Sequence, residues 1–490
     1  MRSFIIIILI LAICGAAPVL CQSDQVQIPS TPAGKLLEKI LISFNSGDVN
    51  NWREFIEKNW KKSDDPNAAE RRLGFFKNSY EISHAFQVVK IVNSSDHEIT
   101  VLLHAEKFTP ETEWLNFTLL ADGDEPNKVA MISIEPADNP KFDVADRELS
   151  QSEMIAFLDS YIDDLVKNEL FSGTVLIAKD GRPIYTRVEG EACKRYHVPN
   201  QLDTKFNLGS MNKMFTSVAI MQLMEQGKLA LDDKVGKYLP ALPRPEIADK
   251  VTIFHLLTHT SGMQDYWDEI FAKPFWEIRT VSQMGELIFD DSLLFEPGTD
   301  FHYSNSGPIL LGMIIEKITG QDYFDYVREN IYQPAGMVNS DCYAVDTPTP
   351  NLAIGYTHLD YNGSELPADV WRNNLFLHVN KGGPAGGGYS TVEDLLAFDQ
   401  ALRHNKLLKQ ETFEKMITGV SQRRENVRYA CLFENKTVNG QTIVGHGGGA
   451  PGINSMLEMY LDSGYTVAVM SNYDYGAGKV VGKIRELLTK

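Results

Sequence analysis

The chain has 490 residues, 43% of them apolar and 23% charged, with a formal charge of -19. This length exceeds one ordinary domain, and the composition excludes the collagen-like, coiled-coil and disordered classes. The charge argues against nucleic acid and anionic membrane surfaces as partners, while a local pocket can still oppose the overall sign for a small substrate.

Met1-Arg2-Ser3 precedes an apolar run from Phe4 to Cys21, interrupted by Gly15 and Pro18. This is the pattern of a secretory signal peptide over residues 1–21, with Val19-Leu20-Cys21 as the cleavage region. An uncleaved membrane anchor is the rival reading, but the run barely reaches spanning length. The expectation is therefore a secreted or periplasmic protein. Of the five cysteines, Cys14 and Cys21 lie in that segment, which leaves Cys193, Cys342 and Cys431. These are too few and too far apart for a disulfide framework or a metal site, although one pair could close in an oxidising compartment. Sequons stand at Asn93, Asn116, Asn362 and Asn435.

Thr31-Pro32 opens a helix whose Leu36, Leu37, Ile40, Leu41 and Phe44 share a face, and a second helical stretch runs from Trp52 to Trp60. Beyond Tyr80 the apolar period becomes two, at Ile99, Val101 and Leu103, at Leu115, Phe117 and Leu119, and from Val129 to Ile134. The spacing predicts a small α+β domain over residues 28–138, and it faintly resembles the cone-shaped nuclear-transport-factor-2 type. No acid–base pair stands out in it. Residues 139–149 read as a linker, and Ser150 with Glu153 forms a capping box for the helix that opens a larger unit over 150–490. Two strands follow, joined at Asp180-Gly181 as a hairpin, and strands return near Ile443, Met456 and Thr466 before a final helix. The predicted architecture has strands at both ends and a helical region between them.

Ser210 and Lys213 stand three apart at the start of a segment with helical spacing at Met214, Val218, Met221 and Met224. Residues three apart on a helix are neighbours, so the lysine nitrogen can reach the serine hydroxyl. A lysine stripped of water can act as the base that a serine nucleophile needs. The same pair also describes a helix cap followed by a surface lysine. Three further motifs bear on it. Tyr303-Ser304-Asn305 offers a phenol for proton transfer, its pKa lowered beside an ammonium, and an amide for a substrate carbonyl. His446-Gly447-Gly448-Gly449 ends an apolar strand, where glycines let substrate backbone approach and free amides can meet an oxyanion. His255-Leu-Leu-Thr-His-Thr-Ser-Gly262 carries two histidines four apart, but lacks the glutamate of a His-Glu-x-x-His zinc motif.

In their order and approximate spacing these four motifs resemble the class C β-lactamase-like serine hydrolases, over roughly residues 150–490. That group includes D-alanyl-D-alanine carboxypeptidases, D-aminopeptidases, family VIII esterases and class C β-lactamases. The resemblance implies a β-lactamase/transpeptidase-like fold, an antiparallel sheet flanked by helices with a helical subdomain. It also implies an acyl-enzyme on Ser210, with Lys213 and Tyr303 handling the proton, His446 in the catalytic set, and the amides of Ser210 and Gly449 as the oxyanion hole. Asn305 would contact substrate. No cofactor and no metal is implied, and the partner is a small-molecule or peptide-like substrate. The glycine-rich run Gly382 to Gly388 is no phosphate loop, and in this family a similar stretch borders the cleft. The β-lactamases carry Lys-Thr-Gly where this chain has His446-Gly447-Gly448, so the pattern is closer to the peptidases and esterases. A β-lactamase, or a catalytically idle scaffold of the same fold, is the alternative.

Overall fold

The computed structural model describes residues 26–490 apart from 64, 109–112, 145–146, 267–276, 289–291, 362, 368–369 and 425. The signal-peptide region with Cys14 and Cys21, and the sequon Asn362, lie outside the described residues. The chain divides into two compact units, Met1–Lys141 and Phe142–Lys490.

In the first unit, α1 (Pro32–Asn45) starts where Thr31 accepts a hydrogen bond from the Gly34 amide and Pro32 occupies the first turn. It is followed by α2 (Val49–Asn59) and α3 (Ala68–Ser83). Four strands, β1 (Phe86–Ser94), β2 (Glu98–Ala105), β3 (Trp114–Ala121) and β4 (Val129–Pro136), pair in sequence order as an antiparallel sheet. The register sets Ile99 against Leu119, Val101 against Phe117 and Leu103 against Leu115, so one face is apolar. Leu36, Leu37, Phe44, Trp52 and Phe76 pack on that face as one core. The helix α3 and the strand β1 carry weak apolar periodicity and have no counterpart in the sequence reading. Only Leu73 and Phe76 among the large side chains of α3 are buried, while Phe75 and Ile82 on the same helix are exposed.

The second unit opens with α4 (Gln151–Lys167), where the Ser150–Glu153 capping box forms. Next come β5 (Gly173–Lys179) and β6 (Arg182–Glu189). Asp180 and Gly181, which join them, both have positive φ, at 49° and 76°, as a two-residue hairpin turn requires. Then follow α5 (Lys213–Glu225), α6 (Ser306–Thr319) and α7 (Val392–Arg403). The chain ends with β7 (Ser421–Arg424), β8 (Val427–Tyr429), β9 (Glu434–Val438), β10 (Gln441–Ala450), β11 (Ile453–Tyr460), β12 (Tyr465–Ser471) and α8 (Gly476–Leu488). The eight strands form one antiparallel sheet in the order β7-β8-β9-β10-β11-β12-β5-β6. Alternation along β5 sends Val175 and Ile177 to a core with α4 and α8, and Leu176 and Ala178 to a core with α5, so both faces are covered. Among the described residues, no helix is long and apolar enough to cross a membrane. Cys193, Cys342 and Cys431 are free thiols, the last two buried.

Candidate active site

Gly209–Asn212 forms a single 3₁₀ turn that runs directly into α5. Gly209 has a φ of 50°, a left-handed conformation that a side chain resists, and this kink presents Ser210 at the end of the helix. Every residue of α5 from Lys213 to Met221 is buried. The longer polar side chains Gln222 and Glu225 are confined to its last turn, because the helix lies between the sheet and other helices. Its buried hydroxyls are paired: Thr216 donates to the Pro384 carbonyl (2.8 Å) and Ser217 to the Cys431 carbonyl (2.6 Å).

The Lys213 ammonium is fully enclosed and donates to three oxygens: Ser210 Oγ at 3.0 Å, Asn305 Oδ1 at 2.6 Å and the Ala385 carbonyl at 2.5 Å. Burial drives its pKa down to about 7; Asp265 opposes this and Arg423 adds to it. Once neutral, the amine has two N–H bonds, which Asn305 and Ala385 accept, and its lone pair faces Ser210 Oγ. This is the arrangement a general base needs. The Asn305 Nδ2 donates to Asp265 (2.8 Å), which fixes the amide orientation and leaves its oxygen for Lys213. Asn305 lines the cavity, but both ends of its amide are already engaged.

Tyr303 sits with its ring centroid 4.9 Å from Lys213 Nζ. The sequence reading has its pKa lowered beside an ammonium, whereas burial raises it, a shift that Ser210 and Arg423 counter and Asp265 and Glu434 reinforce. Desolvation disfavours the charged form of each group, so it strips a proton from the lysine and keeps one on the phenol. Above about pH 7 the resting pair is a free amine and a protonated tyrosine.

His446 lies in mid-strand on β10 and does not line the cavity. Its ring belongs to a buried chain. The Ser304 amide donates to His259 Nδ1 (3.2 Å), so a neutral His259 carries its proton on Nε2 and donates it to Tyr429 (3.1 Å). Tyr429 in turn donates to His446 Nε2 (2.8 Å), and His446 Nδ1 donates to its neighbour's carbonyl, Gly447 O, at 2.5 Å. Burial lowers the His446 pKa to about 4, with Glu434 opposing, and lowers that of His259 well below its usual value. Both rings are uncharged at neutral pH. His255 acts as a helix cap: its amide donates to Thr252 Oγ1 (3.1 Å) and its Nδ1 accepts from the Thr252 amide (3.3 Å).

A cavity of about 260 Å³ opens over Ser210, with Tyr303, Asn305, Asp265, Tyr266, Gly386 and Gly449 in its wall. The glycine-rich run forms another side of it. The Gly387 amide donates to the Gly209 carbonyl (3.1 Å) and Asn212 donates to the Gly383 carbonyl (2.6 Å), which holds the run against the Ser210 turn. The strand β10 approaches Ser210 as closely: a β-carbon at Gly448 would lie 1.8 Å from the Leu208 carbonyl and 2.9 Å from the Ser210 amide. A β-carbon at Gly209 would lie 2.9 Å from the Gly449 amide. Ser210 and Gly449 both line the cavity, on backbone segments that stand this close. Gly448→Ala should wedge the strand away from the nucleophile and lower kcat about 10²-fold, since a displacement near 1 Å costs that much. Steady-state kinetics on the purified variant, with its unfolding midpoint as a control, would check this.

Asp265, Ala385, Arg423 and Tyr429 are absent from the sequence reading. Asp265 follows the His255–Gly262 motif closely enough for that motif to have pointed to it, and Ala385 sits inside the glycine run. Arg423 and Tyr429 carry no local signal.

A model described as Beta-lactamase matches residues 158–489. Penicillin-binding protein 4* of Bacillus subtilis (strain 168) is 31% identical over 327 residues, covering 64% of this chain and 71% of that protein. Esterase EstB of Burkholderia gladioli is 29% identical over 299 residues, covering 54% of this chain and 74% of that protein. Among solved structures, a penicillin binding protein from Bacillus halodurans aligns with a TM-score of 0.60 at 32% identity, covering 70% of this chain and 100% of that one. A D-stereospecific amidohydrolase from Streptomyces sp. aligns with a TM-score of 0.57 at 28% identity, covering 68% of this chain and 98% of that one. The family match runs through the whole region that builds the sheet and the cavity, and the chain belongs to the Beta-lactamase family.

Proposed function

We propose that the protein is a serine hydrolase that cleaves an ester or amide bond of a small or peptide-like substrate through an acyl-enzyme on Ser210. The observation that carries this reading is the desolvated Lys213 amine 3.0 Å from Ser210 Oγ, its other hydrogen bonds held by Asn305 and Ala385. Lys213 takes the hydroxyl proton as Oγ bonds to the substrate carbonyl carbon, and the amides of Ser210 and Gly449 receive the negative oxygen. Tyr303 gives its phenolic proton to the departing oxygen or nitrogen as the scissile bond breaks, and the Lys213 ammonium restores it. In the second half, water gives its proton to the same pair, its oxygen bonds to the acyl carbon, and Ser210 leaves with a proton restored. A peptidase-like or esterase-like activity is favoured over β-lactam hydrolysis, because His446 is uncharged and turned from the cavity, so it offers no fixed cation to a substrate carboxylate.

An acylating or phosphonylating probe followed by intact mass tests this reading. One adduct per chain is expected; none, under conditions that label related hydrolases, would reject it. A panel of D-aminoacyl amides, D-Ala-D-Ala peptides, p-nitrophenyl esters and a chromogenic cephalosporin then sorts the substrate class. The pH profile follows from Lys213. With its pKa near 7, the base is free above that value, so kcat/KM should rise through about pH 7 and level off. The alkaline fall should come only above the ordinary tyrosine range, because Tyr303 is raised. A profile flat from pH 5 to pH 9 would contradict the assignment of Lys213 as base.

A further inference from the structure

Arg423 has no part in the steps above, yet it is the permanent cation beside the proton-handling pair. It reaches the site only through strand pairing: β7 pairs with β8, β8 with β9, and β9 with the part of β10 that precedes His446. Its guanidinium lies 5.2 Å from the Tyr303 ring centroid and 5.7 Å from that of Tyr429. Its side chain is only 20% exposed and is ion-paired with Glu434. Glu434 is shared with Lys436, which also holds Glu458, and Glu458 is held by Arg485. In this chain of five, three cations face two carboxylates, so one net positive charge persists in a partly desolvated place.

The other groups around the pair do not supply that charge. His259, His446, Tyr429 and Tyr266 are neutral near pH 7, and Asp265 and Glu434 are the carboxylates acting on the pair. The position where β-lactamases of this family carry a lysine is here the uncharged His446.

We propose that Arg423 is a positioning residue for the reaction, supplying from β7 the fixed positive charge that His446 lacks and so adding to burial in favouring the free amine of Lys213. A like charge disfavours the ammonium, whose proton goes to solvent, and the lone pair is then free for the Ser210 hydroxyl. The same charge favours a proton leaving Tyr303 during transfer. Burial of Glu434 would raise its pKa, but Lys436, His446 and Arg423 together hold it down to about 2, so the ion pair persists throughout the working pH range.

The proposal rests on the acyl-enzyme reading, and its test is built to separate the two. The kcat/KM for an uncharged ester, p-nitrophenyl butyrate, is measured against pH for the wild type, Arg423→Met, Arg423→Lys and Glu434→Gln. The neutral substrate removes any part played by attraction to an anionic ligand. Arg423→Met should move the acid limb to higher pH by about 0.5–1 unit, so that its deficit is largest at low pH and shrinks as pH rises. Arg423→Lys should return the limb toward wild type, and Glu434→Gln, which removes a negative charge, should move it to lower pH. A limb unmoved in Arg423→Met, or activity lost equally at every pH, overturns the proposal. Should Arg423→Met fail to fold, Glu434→Gln decides by sign: a limb at unchanged or higher pH overturns it. A wild type that forms no covalent adduct removes the underlying reading instead, whereas turnover with unshifted limbs removes only Arg423.

Discussion

Alanine at Ser210 is expected to abolish covalent labelling and to lower kcat about 10⁶-fold, the scale seen when one member of a cooperating nucleophile–base unit is removed. The partners left behind cannot substitute. Lys213 keeps Asn305 and Ala385 as acceptors, but its lone pair then faces a methyl group. The Ser210 and Gly449 amides still bind a carbonyl oxygen, so substrate affinity should fall far less than turnover. The fold should survive. Ser210 is only half-buried and loses its hydrogen bonds with Lys213 and Tyr303, each a cost of about 0.5–1.5 kcal/mol. Intact mass after probe treatment, a burst-phase assay and a thermal melt are the three readouts. A variant that labels as well as wild type would move the nucleophile elsewhere, with Tyr303, another hydroxyl in the cavity wall, the first to examine.

Ser210, Lys213 and Tyr303 were legible in the sequence for different reasons. The first two meet through helical spacing, a local property that needs no knowledge of the fold. Tyr303 was legible only through its order in a set of motifs, since Asn305, two residues after it, stands 92 positions beyond Lys213. The direction of its pKa shift was not legible, because burial decides it and burial is a property of the packed molecule. Ala385 shows another limit: its role belongs to a backbone carbonyl that any residue possesses, and only the surrounding glycines hinted at a close approach. Arg423 and Tyr429 are the clearest omissions. Both come to the site through sheet pairing of short strands that lack apolar alternation, and β7 carries the polar sequence Ser-Gln-Arg-Arg.

The same contrast holds for whole elements. Hairpin chemistry at Asp180-Gly181 and the capping box at Ser150 and Glu153 are local and match the structure. The strands β10, β11 and β12 were found from their apolar runs, but β7, β8 and β9 were not. Those three take their stability from neighbouring strands and from the ion pairs joining Arg423, Glu434, Lys436 and Glu458, which no short window of sequence reveals.

Methionine at Lys213 is expected to lower kcat/KM about 10³–10⁴-fold, the contribution of a well-placed general base. Methionine is unbranched, similar in length and a good helix former, so it fills the same space in α5 without disturbing the helix. It offers no proton acceptor to Ser210 and no donor to Asn305 or Ala385. The variant should also lose a pH dependence of stability, and the sign follows from the direction of the lysine shift. The folded-state pKa is about 7 against 10.5 for a lysine side chain free in water. Below pH 7 both states carry the proton, and burying the ammonium costs its full amount. Between the two values the unfolded chain binds more protons, so stability rises with pH until the unfolded lysine also becomes neutral. Between pH 7 and pH 9 the wild type should therefore gain about 2 kcal/mol relative to the variant. Urea denaturation at both pH values measures this without any substrate. Parallel pH dependences would mean that Lys213 does not change its proton affinity on folding, and the free-amine base would fail even if the variant were inactive.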